Sequence, residues 1–114
     1  MSALRAPIAV AVEIRSASAP EGPGRVFRLA AALGEDGVRL ERPAPFEIGR
    51  PVDVRLTLPD DPEPLAVRAE IALGEGDGEG EAGGRELTFV DAPAETRVQI
   101  HRYVADRLRL PSLR

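Results

Sequence analysis

The sequence predicts a mainly β protein, a six-stranded antiparallel β-barrel followed by one C-terminal α-helix. Short runs of alternating apolar and polar residues recur along the chain, and clusters of Gly and Pro separate them, as in antiparallel sheets. Apolar residues make up 43% of the chain and are mostly Val, Ile, Leu and Ala, which suit packed strands. A helical spacing of apolar residues occurs only near the end. With 114 residues, the chain is expected to form one domain over residues 1–114.

The first half of the chain is predicted to contain three strands, at residues 7–15, 25–33 and 37–42. In the first strand, apolar residues alternate with other residues from Ile8 to Ile14, the period of a half-buried strand. The alternating apolar residues of the second strand are Phe27, Leu29, Ala31 and Leu33. A turn bracketed by two glycines then leads into the third strand.

The second half is predicted to contain strands at residues 51–58, 65–73 and 85–91. The fourth strand has the clearest alternation, with apolar residues at Val52, Val54, Leu56 and Leu58. Pro59 ends it, because proline has no amide hydrogen to donate to a neighbouring strand. The fifth strand alternates from Leu65 to Leu73, and Leu87 and Phe89 supply the sixth.

Residues 93–109 are predicted to form the helix. Asp91 can cap its start, Pro93 suits its first turn, and Pro111 lies beyond its end. Its apolar stripe consists of Ile100, Tyr103, Val104 and Leu108. We expect the stripe to pack on the barrel and to cover an open end or a strand edge. The alternative is that the same four residues form an interaction surface.

Composition and charge restrict the class of protein. The chain has no Cys, so it has no disulfide and no thiolate metal site, which fits a reducing cytoplasm. No apolar run approaches the roughly 18 residues of a membrane span, and the N-terminus has no signal segment. We therefore expect a cytoplasmic protein that does not enter a membrane. The formal charge of −4 originates in an acidic Gly-rich stretch at residues 75–81, and the near-neutral remainder argues against binding to nucleic acid.

Residue types with catalytic or metal-binding chemistry are sparse. His101 is the sole histidine and falls within the predicted helix, so a His-centred triad or a multi-histidine metal site lacks its residues. The acidic stretch imitates the start of a calcium loop, but Ala82 replaces the required glycine and Thr88 the bidentate glutamate. Residues 74–84 contain six Gly without a following GK[ST], so they do not form a phosphate-binding loop. We expect no metal, no cofactor and no enzymatic activity.

The order of these elements resembles the PilZ domain family over nearly the whole chain. The segments that carry the resemblance are residues 46–52 (Phe-Glu-Ile-Gly-Arg-Pro-Val), 58–59 (Leu-Pro), 86–89 (Glu-Leu-Thr-Phe) and 100–104 (Ile-His-Arg-Tyr-Val). The resemblance implies a PilZ-like barrel with a C-terminal helix. The chain is particularly similar to divergent PilZ-like proteins of gliding bacteria, in which the domain serves motility and polarity.

Members of this family that bind cyclic di-GMP carry an RxxxR motif before the first strand and a D/NxSxxG motif at the turn after the second. Arginine offers a planar fork of donors for guanine and phosphate, and short acceptors read the guanine edges. In this chain Arg5 is the only arginine before the first predicted strand, and residues 32–37 read Ala-Leu-Gly-Glu-Asp-Gly. The resemblance thus implies a vestigial ligand turn made of Arg5, Gly34, Asp36, Gly37 and Arg39.

Charged residues on the predicted strands allow two interpretations. The basic set is Arg25, Arg28, Arg39, Arg42 and Arg55. The acidic set is Glu13, Glu41, Asp53 and Glu70. If the basic residues lie together, they form a patch for an anion or an acidic protein. We favour the alternative that the two sets pair across strands, as on an ordinary solvated sheet face.

The favoured function is a non-enzymatic PilZ-like adaptor that acts by protein–protein contacts in bacterial signalling or motility and does not bind cyclic di-GMP. Its protein partner is not identified, and a homodimer is left open. The second hypothesis is a cyclic di-GMP receptor with an atypical site. A small hydrolase is disfavoured, because no nucleophile and base can be nominated.

Overall fold

Strands dominate the described part of the chain, which in this computed structural model comprises residues 5–17, 25–59, 61–73 and 84–108. The strands are β1 (Arg5–Pro7), β2 (Ala11–Ser16), β3 (Arg25–Gly34), β4 (Gly37–Leu40), β5 (Pro51–Leu56), β6 (Leu65–Ala72) and β7 (Glu86–Phe89). One helix, α1 (Ala94–Leu108), follows them. The acidic stretch at residues 75–81, and with it the calcium-loop comparison, lies outside the described residues.

The strands close into a barrel in which every neighbouring pair is antiparallel. Their order is β1-β3-β2-β5-β6-β7-β4, and a further pairing of β3 with β4 joins the two ends. β1 and β2 both pair with β3 and are two parts of one interrupted strand, so the barrel has six strands. The predicted six-stranded antiparallel barrel with a C-terminal helix is therefore confirmed.

The interruption of the first strand coincides with a change of register on β3. Pro7 lies opposite Ala32 and Ala11 lies opposite Leu29, so four steps along the first strand match three steps along β3. On its other edge, β3 has a second irregularity against β4, between Ala30 and Ala32. An extra residue in one strand of an antiparallel pair is a β-bulge, and it shifts the side chains that follow it to the opposite face.

Because of this shift, the prediction of which side chains share one face of the second strand is wrong. The alternation of Phe27, Leu29 and Leu33 predicts that these side chains share one face of the second strand. In the structure Leu33 and Ala30 are buried, whereas Phe27 and Leu29 point outward. The bulge near Ala30 reverses the alternation, and two large apolar side chains consequently lie on the surface.

The barrel interior is filled by the inward side chains of all six strands. Buried and exposed residues alternate regularly on β5 and on β6 as far as Ile71. The largest fully buried side chains include Ile14, Leu33, Leu40, Ile71 and Leu87. Branched aliphatic residues supply most of this core, as the composition predicts.

A sharp backbone turn precedes β5. Gly49 has a φ of 88°, a left-handed conformation that favours glycine, and its amide donates to the Ile71 carbonyl at 2.7 Å. The Ile71 amide in turn donates to the Arg50 carbonyl at 3.1 Å. These two hydrogen bonds hold the start of β5 against the end of β6.

The helix packs on one side of the barrel, against β1, β3 and β6. The Pro93 carbonyl accepts the first helical hydrogen bond, from Arg97, so the helix begins one residue later than predicted. The hydroxyl of Tyr103 donates to the Pro7 carbonyl at 3.1 Å, and Gln99 donates to Asp61 at 2.9 Å. Within the described ranges, no helix has the length and apolar content needed to cross a lipid bilayer.

Candidate functional site

The predicted ligand turn is a two-residue connection, Glu35 and Asp36, between β3 and β4. Gly34 and Gly37 lie opposite each other at the ends of the two strands, and both are buried. A Cβ atom added to Gly37 would collide with the carbonyl oxygen of Leu87 on β7. Gly37 is therefore required for the close packing of β4 on β7, whether or not a ligand approaches the turn.

Four charged side chains from three strands and the turn meet here, and we call them the turn cluster: Arg5, Asp36, Arg39 and Glu86. The Arg5 Nε donates to Asp36 Oδ1 at 3.2 Å, and Arg5 Nη1 is in close contact with Glu86 Oε1. Arg39 Nη1 lies 3.8 Å from Glu86 Oε2. The structure thus brings the predicted residues of the turn together and adds Glu86.

Glu86 is missing from the sequence-based site, although it belongs to the segment that carries the family resemblance. It lies opposite Arg39 because β7 pairs with β4, two strands far apart in the sequence. The Glu86 side chain is only 12% exposed, so its charge is directed at the two arginines and not at solvent. The one sequence signal for Glu86 is its position at the start of the last predicted strand.

Burial and the charges of neighbouring groups shift the pKa values of Glu86 and Arg5 in opposite directions. Burial is the largest influence on Glu86 and raises the pKa of its carboxyl group, and the attraction of Arg5 and Arg39 reduces this rise without reversing it. Burial also opposes the charged form of Arg5, but the hydrogen bond with Asp36 and the charge of Glu86 outweigh it, so the pKa of Arg5 is raised. The Arg5 guanidinium consequently stays charged. For ionised Glu86, the attraction of the two arginines offsets only part of the free energy lost by removing the carboxylate from water.

The turn cluster contains two cations and two anions, so it has no excess positive charge for an anionic ligand. The Arg5 guanidinium is already in contact with Glu86 Oε1 and hydrogen-bonded to Asp36 Oδ1. A phosphate entering here would have to displace Asp36 or Glu86 from Arg5 and would meet their negative charges. Among the described residues, no group of three or more His, Asp or Glu side chains is placed to hold a metal ion.

The helix is connected to the same turn by one exposed contact. His101 Nδ1 lies 2.9 Å from Glu35 Oε2, and both side chains are largely exposed. His101 is therefore on the outer surface of the helix, where it links α1 to the turn. Contacts of this exposed kind contribute little to stability.

The predicted apolar stripe of the helix faces the barrel. Ile100, Tyr103 and Val104 are buried in the core, and Leu108 is partly buried against it. An interaction through these four residues would require the helix to leave the barrel. Their role as an interaction surface remains a hypothesis.

The predicted basic patch is divided by the strand order. Arg39 lies on β4, on the opposite edge of β3 from β2 and β5, and belongs to the turn cluster. Arg28 donates to the Pro43 carbonyl at 3.0 Å. Arg25 lies 3.8 Å from Glu13, one of the cross-strand pairs that we favoured.

Comparisons relate the chain to known proteins. The family model described as PilZ domain matches residues 3–106. The structure of the Bacillus subtilis inhibitor of motility, MotI/DgrA, aligns with a TM-score of 0.74 and 14% identity over 98% of this chain and 53% of that one. The crystal structure of the PilZ domain of CeSA from a cellulose synthesizing bacterium aligns with a TM-score of 0.59 and 20% identity over 90% of this chain and 95% of that one. No curated protein sequence matches the chain.

The two solved structures establish a shared fold, and the chain spans only about half the length of MotI/DgrA, 53%. The family model covers most of the chain and agrees with the resemblance noted from the sequence segments. The barrel closure, the C-terminal helix and the turn after the second strand are all in the expected order. The chain belongs to the PilZ domain family.

Proposed function

We propose that this protein is a non-enzymatic PilZ-type adaptor, which acts in the bacterial cytoplasm through protein contacts in signalling or motility and does not bind cyclic di-GMP. Membership of the PilZ family supports the signalling role. The fold shared with an inhibitor of motility, MotI/DgrA, supports a role in motility. No nucleophile and base pair can be nominated from the sequence.

The observation that carries this proposal is the internal pairing of the turn cluster. Arg5 contacts both Asp36 and Glu86, and Arg39 lies near Glu86. In family members that bind the dinucleotide, arginines and short acceptors in this region hold the ligand. Here the arginines face carboxylates of the same chain, and the first acceptor of the turn motif is replaced by Ala32.

Isothermal titration calorimetry with cyclic di-GMP tests the proposal. We expect a dissociation constant weaker than about 100 μM, because each missing charge-assisted hydrogen bond removes about 1.5–3 kcal/mol of binding free energy. A PilZ domain with both motifs serves as the positive control. Saturable binding in the submicromolar range would contradict the proposal.

The second hypothesis is a cyclic di-GMP receptor with an atypical site, and one observation favours it. Two guanidinium groups, Arg5 and Arg39, both lie at the turn, although their spacing differs from the family motif. If calorimetry detects binding, Arg5→Ala and Arg39→Ala should each weaken it at least tenfold. Arg97→Ala, an exposed change on the helix, is the matched control.

A further inference from the structure

A second surface, away from the turn, combines exposed apolar side chains with exposed arginines. It is the outward side of β2, β3 and β5, which we call the outer sheet face, and its centre is Arg15, Phe27, Leu29 and Arg55. Phe27 is 55% exposed and Leu29 is 44% exposed. Phe27 and Leu29 lie on the same face and form an exposed apolar patch.

Strand register places these side chains in adjacent rows. Phe27 on β3 lies opposite Glu13 on β2, which lies opposite Arg55 on β5. One row further, Arg15 on β2 lies opposite Asp53 on β5. Neighbouring strands are about 4.8 Å apart, and β2 lies between β3 and β5. The backbones at Phe27 and Arg55 are therefore separated by roughly 10 Å.

The acids of this surface already have partners. Glu13 pairs with Arg25 at 3.8 Å, and its side chain is only 16% exposed. Asp53 pairs with Arg68 at 3.3 Å. Arg15 and Arg55 form no ion pair with any described residue, so their guanidinium groups face solvent.

The surface is also concave. An open cleft of about 680 Å³ runs along β2, β5 and β6, and Asp91 and Pro93 lie at its edge. A smaller recess lies between Phe27 and Arg55. Arg15 and Arg55 line the cleft, and Phe27 and Arg55 line the recess.

We propose that the outer sheet face is a docking surface for a protein segment that presents carboxylates beside apolar side chains. Aromatic residues and arginines dominate the energy of protein interfaces, and here one aromatic residue, Phe27, and two arginines, Arg15 and Arg55, lie at the centre of the surface. The unpaired guanidinium groups select acidic side chains on the partner. This inference rests on the proposed adaptor function and adds the surface and the chemistry of the partner.

Other occupants fit this surface less well. A second copy docked by two-fold symmetry would bring the face onto itself, so that Arg15 and Arg55 would meet arginines. Nucleic acid requires a concentrated positive surface, whereas the cleft is also lined by Glu13, Asp53 and Asp91.

Site-directed photo-crosslinking in the native host tests the proposal. The photoreactive amino acid p-benzoylphenylalanine replaces Phe27, and in separate variants it replaces Val98 on the helix or Ile48 before β5. The three positions are matched, because all are apolar and 55%, 49% and 49% exposed. We expect the Phe27 variant to crosslink a protein through a segment rich in Asp, Glu and apolar residues, which mass spectrometry identifies.

The outcomes separate this inference from the proposed function. Crosslinking to a protein from Val98 or Ile48 but not from Phe27 would leave the adaptor function standing and overturn the docking surface. Absence of protein crosslinks at all three positions would also overturn the docking surface, whereas the calorimetric test of the proposed function would be unaffected. Crosslinking of Phe27 to a second copy, to nucleic acid, to lipid or to a basic segment would also overturn the inference.

A charge-reversal pair tests the arginines directly. In the Phe27 crosslinking background, Arg15→Glu with Arg55→Glu should reduce the crosslinked product at least tenfold. Arg97→Glu with Arg102→Glu, which makes the same charge change on the exposed side of the helix, should alter it less than twofold. Both double variants should keep the parent's thermal melting profile. Equal crosslinking in the two variants would show that the arginines do not select the partner.

Discussion

On the helix side of the barrel, Arg5 and Arg39 face Glu86 and Asp36, whereas on the outer sheet face Arg15 and Arg55 face solvent. The helix side comprises α1, β1 and the turn between β3 and β4, and the charged groups of the turn cluster have partners within the chain. Its apolar stripe is buried as well. The outer sheet face has the opposite character, with exposed Phe27 and Leu29 beside the unpaired arginines.

This difference separates groups that stabilise the fold from groups that are open to a partner. A guanidinium already paired with a carboxylate gains little from a new anion, because the existing contact must first be lost. An exposed and unpaired guanidinium has no such contact to lose. The comparison predicts that substitutions of the buried or paired residues on the helix side change the free energy of unfolding, whereas substitutions on the outer sheet face change only binding.

The largest effect is expected in the helix stripe. Ile100→Ala should lower the free energy of unfolding by about 2–5 kcal/mol, because it leaves a cavity between α1 and the barrel. Leu108→Ala should cost less, since Leu108 is only partly buried. Thermal and urea unfolding measure both, and Arg102→Ala and Asp106→Ala on the exposed side are the controls. If Ile100→Ala melts like the parent but loses a partner, the stripe is an interaction surface.

The second-largest effect on stability is expected where β4 packs on β7, next to the turn. Gly37→Ala should cost about 1–3 kcal/mol, because the added methyl group collides with the Leu87 carbonyl and forces β4 away from β7. Glu35→Ala is the control in the same turn, and we expect a change within about 0.5 kcal/mol, since its contact with His101 is exposed. Equal stability of Gly37→Ala and the parent in urea unfolding would show that this contact is not tight.

A smaller effect is expected from the titration of Glu86. Its pKa is raised in the folded state, so above its ordinary value of 4.5 the folded chain binds this proton more readily than the unfolded chain does. The resulting stability is fully present below pH 4.5 and is lost as the pH rises through the folded pKa. The difference in unfolding free energy between the parent and Glu86→Gln should therefore fall with rising pH and then level off.

Urea unfolding at a series of pH values measures this difference. In an Arg5→Ala background the fall should extend to higher pH, because the largest attraction that lowers the pKa of Glu86 is removed. A difference that grows with pH would show that the pairing with Arg5 outweighs burial.

The smallest effect on stability is expected on the outer sheet face. Phe27→Ser and Arg55→Ala should each change the free energy of unfolding by no more than about 0.5 kcal/mol, because both side chains are exposed. Thermal melts of the two variants beside Ile100→Ala provide the comparison. A loss of 2 kcal/mol or more in either would mean that the outer sheet face is part of the structural core, and the division between the two regions would then fail.

Local sequence was sufficient to predict the barrel class, the helix and the family. The alternation in β5 and β6 and the stripe from Ile100 to Leu108 are properties of neighbouring residues, and each has the period of its own secondary structure. Removing apolar side chains from water is favourable, so the apolar face of an alternating strand is the face that packs in the core. The turn between the second and third predicted strands was also predicted, because the glycines that bracket it, Gly34 and Gly37, are close together in the chain.

Tertiary structure alone decided which charges meet and which apolar residues are left outside. Glu86 reaches Arg5 and Arg39 because β7 pairs with β4 in one particular register, and register depends on residues far apart in the sequence. Phe27 and Leu29 face solvent because a bulge near Ala30 inserts one extra residue and reverses the alternation of β3. A change of one residue in strand pairing moves every following side chain to the other face, and no local pattern records where that change occurs.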